Sequence, residues 1–543
     1  MKVLHSRSTL TQCEFAAAIL MTLFLIVVHT RLLLHTSPLW RDEVNSVYVA
    51  TAPSLKEFLN SLVLDPFPIL FVAVLRIWVG LGFGSSDFDL RILGFLIGTA
   101  LLGAIWVSCR MIDKERWAPL WPLALFAFSP ATLFEGDSLR AYGLGLIWIV
   151  MSFGLVWRLT FRPWRLGTAI AAAIVGLLAV QSLYLNSLIL FATCFAGILV
   201  SLRRRQWWPA VVILSVGLIA ALSLLPYARI MRSASEHLAL QSEPRTISGE
   251  IPSLISSHLF SRSSVMLVCI LVFSCGLITV SVPRLRQSLF ASIKGGGDPL
   301  LFAVIVVFVG AIMTFGFLLG SGLHSSRYRR PLMAATSLSI HVAYTTRRKN
   351  VGLTLANLIG SALTAAAFVP GSYHLSELRR TNCDLAAGVV AKSAGQDDLV
   401  IVTRFTHAPT FQRYYHGMAP WTSVPAVGDH LQHRGYLARA EMMNPDAIQD
   451  ILLRIESKLK ARHKVFLVGR FRLSELHQLP PVAIAPQSGR AWRPDDYLNL
   501  WHSQIVNLLS QHAVRVAKIA LNGTEQVDAR EKEEVFVFSG WKD

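Results

Sequence analysis

The sequence predicts a polytopic α-helical membrane protein of about 11 transmembrane helices with a C-terminal α/β soluble domain, and three observations predict it. Hydrophobic residues make up 53% of the 543 positions and charged residues only 15%, against about 25% charged in soluble proteins; the mean hydropathy is +0.49. Apolar runs long enough to cross a bilayer recur through the first two thirds of the chain. The charge is unevenly placed: residues 371–543 hold 21 Lys/Arg and 18 Asp/Glu, whereas residues 1–370 hold 30 and 15. This composition excludes a disordered chain. It also turns the net charge of +18 into a topology signal, because basic loops between apolar segments mark the cytoplasmic side. The expected partner is the lipid bilayer, with no nucleic acid.

The apolar runs fall near 14–34, 90–110, 117–134, 140–158, 166–181, 186–202, 208–226, 264–283, 299–320, 329–346 and 351–370. The first reads as an uncleaved signal anchor, since it is long enough to span. A twelfth run, 66–83, carries two prolines and Arg76. If it does not cross, the N-terminus and the loops at 110–116, 158–165, 203–205, 284–294 and 347–349 face the cytoplasm with 17 Lys/Arg, as the positive-inside rule requires. Segment 66–83 is then an amphipathic or dipping helix on the outer surface, the N-terminus is cytoplasmic, and residues 1–370 form the membrane domain with a first outer loop at about 35–89.

After Pro370 the apolar runs shrink to strand length, at 399–403, 465–469, 514–521 and 535–538, with helical patterns near 378–394, 446–461 and 496–511. Strands alternating with helices predict an α/β domain over 371–543, extracytoplasmic by parity. The six cysteines include no CxxC pair, which argues against a metal–thiolate site.

Chemistry-bearing residues gather in the expected outer loops. The first loop opens with Trp40, Arg41, Asp42 and Glu43. Two adjacent carboxylates past a membrane helix are either solvated juxtamembrane charge or a general base or cation site at the bilayer surface. Asp65 follows, in Asp65-Pro66-Phe67-Pro68. The turn after the third span offers Glu135, Asp137, Arg140 and Tyr142; an arginine opening a membrane helix is either snorkelling or clamping a phosphate. The loop before the tenth span gives His324, Arg327, Tyr328, Arg329 and Arg330, a cationic cluster that defies the positive-inside trend and for which an anionic headgroup is the simplest reason. Arg91 enters the second span from the same side.

On these residues the chain resembles the GT-C glycosyltransferase superfamily, in the branch of protein O-mannosyltransferases and lipid A aminoarabinose transferases (glycosyltransferase 39-like). The resemblance rests on Trp40-Arg41-Asp42-Glu43, Asp65-Pro66-Phe67-Pro68, Phe88-Asp89-Leu90-Arg91, Ser129-Pro130 with Ser138-Leu139-Arg140-Ala141-Tyr142, and Arg327-Tyr328 before Pro331. Where the family often has His-Pro-Pro, this chain has Asp65-Pro66-Phe67-Pro68. The resemblance implies a GT-C-like membrane domain and an inverting enzyme of the cell envelope. It implies a sugar moved from a polyprenyl-phosphate donor to a hydroxyl of a lipid, glycan or protein acceptor on the outer face of the cytoplasmic membrane. Under that reading Asp42 is the base and Glu43 its catalytic neighbour. Arg140, Tyr142, Arg327, Tyr328, Arg91 and His324 take the donor phosphate, and Asp65 and Asp137 serve the acceptor. No cofactor is certain; a divalent cation on Asp42, Glu43 and Asp137 is the one considered. Two other classes stand beside it. An O-antigen ligase-like enzyme places its large outer loop later. A lipid or solute transporter needs polar residues at midspan and repeat symmetry.

Overall fold

The computed structural model describes residues 2–35, 37–62, 67–115, 117–228, 230, 297–321, 326–346, 351–428, 440–469, 494–523 and 525–543. The molecule is a multi-pass membrane protein. Seven of its described helices are long and apolar enough to cross a membrane: α1 (Lys2–Leu34), α5 (Asp87–Ile112), α7 (Ala141–Phe161), α9 (Asn186–Arg203), α10 (Trp207–Leu222, carried on by the following turns to Tyr227), α11 (Asp298–Ser321) and α13 (Val351–Glu377). Between them lie α2 (Arg41–Ala50), α3 (Leu55–Ser61), α4 (Ile69–Gly80), α6 (Pro130–Gly136), α8 (Leu166–Ser182) and α12 (Arg330–Thr345). Two further expected spans are occupied by α8 and α12, with 17 and 16 residues, and the expected span at 264–283 lies outside the described residues. The count of eleven is therefore not what the described helices give.

One expected span takes a different form. Residues 117–134 are not one continuous helix but a π-helical stretch, Pro122–Ala127, followed after Ser129 by α6. Pro119, Pro122 and Pro130 each lack the N–H that a continuous helix needs. Broken backbone is tolerated at membrane depth only where protein covers it, and here Leu123, Ala124, Phe126 and Ala127 are buried against α1, α12 and α13. The break matters for the site, because it sets α6 and the following turn, with Glu135 and Asp137, ahead of α7.

Helix α7 runs through the centre, packed on α5, α8, α9 and α12. Small residues permit the closest approaches, as in other helix pairs in lipid, where packing must replace the hydrophobic drive. A Cβ at Gly154 would lie 2.6 Å from Ser108 Oγ, and one at Gly98 would strike the carboxylate of Asp137 and the ring of His29. Glu14, buried among these helices, accepts hydrogen bonds from the Tyr344 hydroxyl and from Asn357 Nδ2 at 2.9 Å, so its charge is spent on joining α1 to α12 and α13.

The run 66–83 yields α4, whose 12 residues fall short of the ~17 needed to span. Arg76 on α4 donates to the carbonyls of Ala50 (2.9 Å) and Ala52 (2.8 Å), which fastens α4 beneath the end of α2.

Beyond α13 the chain forms α14 (Cys383–Ser393), β1 (Leu399–Val402), α15 (Ala408–Tyr414), β2 (Trp421–Ser423), α16 (Gln449–Lys460), β3 (Lys464–Gly469), α17 (Pro494–His512), β4 (Ala513–Ile519) and β5 (Glu534–Trp541). The strands make one mixed sheet in the order β2-β1-β3-β5-β4. β1 pairs parallel with β2 and β3, and β5 pairs antiparallel with β3 and β4. All four strands read from the sequence are present; β2 and α15 are additions, too short to show a periodic pattern. Strand β1 is buried on both faces, as parallel strands covered by helices are. Leu399 and Ile401 face α16 and α17, while Val400 and Val402 face α14 and α15.

The sidedness that the charge pattern implies leads to a direct expectation. In a cysteine-free background, Asp450→Cys should react with a membrane-impermeant maleimide on intact cells and Arg162→Cys only after lysis. The reverse pattern would invert the topology. A second expectation follows from the packing. Gly98→Ala should cost roughly 1–3 kcal/mol, the usual toll of overpacking, read as a lowered unfolding midpoint in detergent.

Candidate active site

The site begins where α1 ends. An extended stretch, Ser37-Pro38-Leu39, leads into α2, whose first turn carries Asp42 and Glu43. Carboxylates are favoured there because the free N–H groups of a helix start carry partial positive charge. Neighbours on a helix point about 100° apart, and the two carboxylates accordingly enter different surroundings.

Glu43 is fully buried. Its Oε2 accepts from Arg91 Nη2 at 3.1 Å and its Oε1 from Arg380 Nη1 at 2.9 Å and from the Leu139 N–H at 3.2 Å. Arg91 also donates to the carbonyls of Ser37 (2.9 Å) and Pro38 (3.1 Å), and Arg380 to that of Phe134 (3.2 Å). Burial, the largest influence, lowers the guanidinium of Arg380 from its ordinary value; the Glu43 charge opposes that shift and the neighbouring Arg91 adds to it. Glu43 therefore joins α2, α5, the turn before α7 and the segment after α13.

Asp42 faces the other way, and its side chain is 17% exposed. Arg327 Nη1 lies 3.3 Å from its Oδ2, and Arg41 Nε lies 3.8 Å from its Oδ1. Arg140, the residue before α7, donates to the Asp42 carbonyl at 3.0 Å and to Ser46 Oγ at 3.1 Å. Its guanidinium stacks 4.5 Å over the Phe67 ring, and Phe67 in turn meets Tyr142 edge-on at 5.1 Å. Arg327 sits over Tyr142 (5.8 Å) and Tyr328 (5.6 Å). Glu135 stands close by: burial raises its carboxyl, against the pull of Arg327, Arg330, Arg380 and Arg140.

The structure thus brings Asp42, Arg140, Tyr142, Arg327 and Tyr328 together from segments up to 286 positions apart in sequence. It assigns three other residues to different neighbours. Arg91 and Glu43 belong to each other. Asp137 Oδ1 pairs with His29 Nδ1 on α1 at 2.7 Å. Asp65 and His324 lie outside the described residues. Asp42, Glu43 and Asp137 do not converge as a cation site, since two arginines hold Glu43 and His29 holds Asp137. Among the described residues no group of three His, Cys, Asp or Glu is placed to hold a metal ion.

The sequence reading missed the part that comes from beyond α13. Arg380 completes the Glu43 cluster. Glu531, just before β5, makes an ion pair with Arg41 at 3.1 Å. Arg413 Nη2 and the Tyr414 hydroxyl, on α15, bind Asp87 at the start of α5 at 2.6 Å and 2.5 Å, and that hydroxyl also accepts from the Leu39 N–H at 2.7 Å. One signal was available: Arg379-Arg380 follows the last span on the side where arginines are not expected.

No family model matches this chain, and no curated protein matches it. Among solved structures it is similar to ArnT from Cupriavidus metallidurans bound to undecaprenyl phosphate, at 13% identity over 96% of this chain and 97% of that one, with a TM-score of 0.48. It is also similar to the Archaeoglobus fulgidus oligosaccharyltransferase in complex with zinc and sulfate, at 12% identity over 82% of this chain and 67% of that one, TM-score 0.43. The archaeal oligosaccharyltransferase AglB from Archaeoglobus fulgidus, in complex with an inhibitory peptide and a dolichol phosphate, gives 11% identity over 83% and 69%, TM-score 0.44.

The division of labour between the two carboxylates is measurable. Glu43→Gln leaves two buried guanidiniums without their anion, and breaking a buried pair costs about 3–5 kcal/mol. It should lower the unfolding midpoint in detergent sharply or abolish accumulation. Asp42→Asn, at a partly exposed position, should leave that midpoint within a degree or two of wild type, since exposed pairs contribute about 0–1 kcal/mol.

Proposed function

We propose that this protein is a membrane glycosyltransferase that moves a sugar from a polyprenyl-phosphate donor to an acceptor hydroxyl, with inversion, on the outer face of the cytoplasmic membrane. The observation that carries the reading is the placement of Asp42 against Arg327 and Arg140: one carboxylate and two guanidiniums from distant segments share a partly open site.

That arrangement fits a one-step displacement. The bond from the anomeric carbon to the phosphate oxygen breaks as the bond from the acceptor oxygen forms, and the acceptor proton passes to a base. Polyprenyl phosphate leaves as an anion, so stabilisation of its charge matters more than a proton donor. Guanidiniums suit that task because they bind two phosphate oxygens at once. Asp42 is the group placed to accept the proton.

The ion pair between Arg327 and Asp42 gives the site a sequence of events. Without donor, Arg327 takes Asp42 as its counter-ion. A phosphate arriving at Arg327 and Arg140 competes for the same guanidinium and frees the carboxylate. Donor binding thereby activates the base. Tyr142, Tyr328 and Phe67 hold the two arginines by their ring faces, an attraction that strengthens as water is excluded.

The test is single-turnover transfer in detergent with a panel of undecaprenyl-phosphate hexoses and pentoses and acceptors of lipid, glycan and peptide type. Asp42→Asn should lower the transfer rate by ~10²–10⁴-fold, the range of a general base, with donor affinity kept or tightened, because the phosphate no longer competes with a carboxylate for Arg327. Arg140→Lys and Arg327→Lys should each weaken donor binding, since lysine keeps the charge and loses the fork. Uptake or release of an unmodified solute, with no transfer from any donor of the panel, would favour a transporter instead.

A further inference from the structure

We propose that Glu531, carried by the C-terminal α/β portion, is a positioning residue of the Asp42 site that acts through Arg41 and sets how strongly the Asp42 carboxylate is neutralised. This rests on the reading of Asp42 as the base.

Glu531 is 4% exposed and is fixed from both sides. The Thr381 hydroxyl donates to its main-chain carbonyl at 3.2 Å, and two residues on, Asn382 exchanges hydrogen bonds with the main chain of Glu533 at 2.9 Å and 2.6 Å. So clamped, the Glu531 carboxylate meets Arg41 Nε at 3.1 Å, while that same nitrogen stands 3.8 Å from Asp42 Oδ1. Arg41 therefore lies between two carboxylates and closer to Glu531. Asp42 has Arg327 on its other oxygen. The charge on Glu531 decides whether Asp42 faces one guanidinium or two without donor, and none or one once the phosphate has drawn Arg327 away.

The groups around Glu531 are His407, Arg41, Glu533 and Asp42; His407, in the short turn before α15, is itself paired with Glu533 through Nδ1. Burial is the largest influence and pushes the Glu531 carboxyl up, with His407 and Arg41 opposing and Glu533 and Asp42 adding to the rise; the result is about 7. The sign of the effect follows. Above pH 7 Glu531 is ionised, holds Arg41, and leaves Asp42 the stronger base. Below pH 7 it takes a proton from solvent and Arg41 shifts to Asp42, so the carboxylate that the donor phosphate releases from Arg327 still carries a guanidinium and accepts the acceptor proton less readily. Arg140 and Arg327, which receive the phosphate, are not part of this exchange.

The experiment is the pH profile of transfer with whichever undecaprenyl-phosphate sugar of the panel turns over. Wild-type kcat should rise about fivefold through pH 7, the scale of one partly exposed ion pair, with KM for the donor unchanged. Glu531→Gln should run at the low plateau without the step, and Glu531→Asp should recover part of it. In Arg41→Gln the step should vanish, and adding Glu531→Gln should change nothing further. A wild-type profile without the step, a step that survives in Glu531→Gln or Arg41→Gln, or an effect confined to KM overturns the proposal. If Glu531→Gln does not accumulate, Arg41→Gln decides. Asp42→Asn separates the two readings: full transfer in that variant removes Asp42 as the base, whereas its loss beside a Glu531→Gln profile identical to wild type removes only Glu531. Should no sugar of the panel turn over, infrared difference spectra read the same group directly. A neutral-carboxyl band should grow in as pH falls through 7 and be lost in Glu531→Gln; its absence from wild type overturns the proposal.

Discussion

The carboxylate of Glu43 is the constraint on which the arrangement depends. A buried anion is tolerated only when its oxygens are filled, and here, beside the Trp40 N–H of its own helical turn, two guanidiniums and the Leu139 N–H fill them. Those donors come from α5, from the segment after α13 and from the residue before Arg140. Satisfying one charge therefore sets where α2 lies, how the turn ahead of α7 is held, and where the chain leaves the membrane helices. Asp42 is next along α2 and inherits its position from that network. A mobile juxtamembrane loop would not keep its carboxylate within 3.3 Å of an arginine from residue 327; α2 does, because the residue beside it is immobile.

The division between a buried structural acid and a partly open one follows from the geometry of a single helical turn. Adjacent residues of a strand would also point apart, but across a thin sheet. On α2 the two directions lead to two different solvents, a packed interior with fixed counter-ions and a cleft edged by aromatic rings. The same dipeptide thus serves cohesion and, in the proposed reaction, proton transfer, with no conflict between the rigidity one needs and the access the other needs.

Much of this was legible in the sequence and some was not. The span α7, opened by Arg140 and Tyr142, and the pair Asp42-Glu43 at a helix start follow from apolar length and local charge. The strands β1, β3, β4 and β5 follow from short apolar runs. The break at Ser129-Pro130 is marked in the sequence by a proline, yet the run 117–134 still reads as a span, because hydropathy averages over a window and does not register a missing N–H. Which of the two carboxylates is buried was not legible, since it depends on Arg91 and Arg380, 48 and 337 positions away. Nor was Glu531, whose neighbourhood exists only once the sheet is docked on the first loop. Charges near the end of a chain look like ordinary surface residues until the fold shows what they face.

The seam between the helical and sheet portions has a consequence for how such a chain can be cut and recombined. Arg380 on Glu43, Arg413 and Tyr414 on Asp87, and Tyr414 on the Leu39 N–H stitch residues from beyond α13 to the first loop and the start of α5. Hybrids that exchange the C-terminal third at Pro370 would divide each of these partnerships between two parents. A viable hybrid has to carry residues 37–43 and 87–91 along with the sheet they grip, so for inheritance the natural unit is discontinuous, running through both ends of the chain.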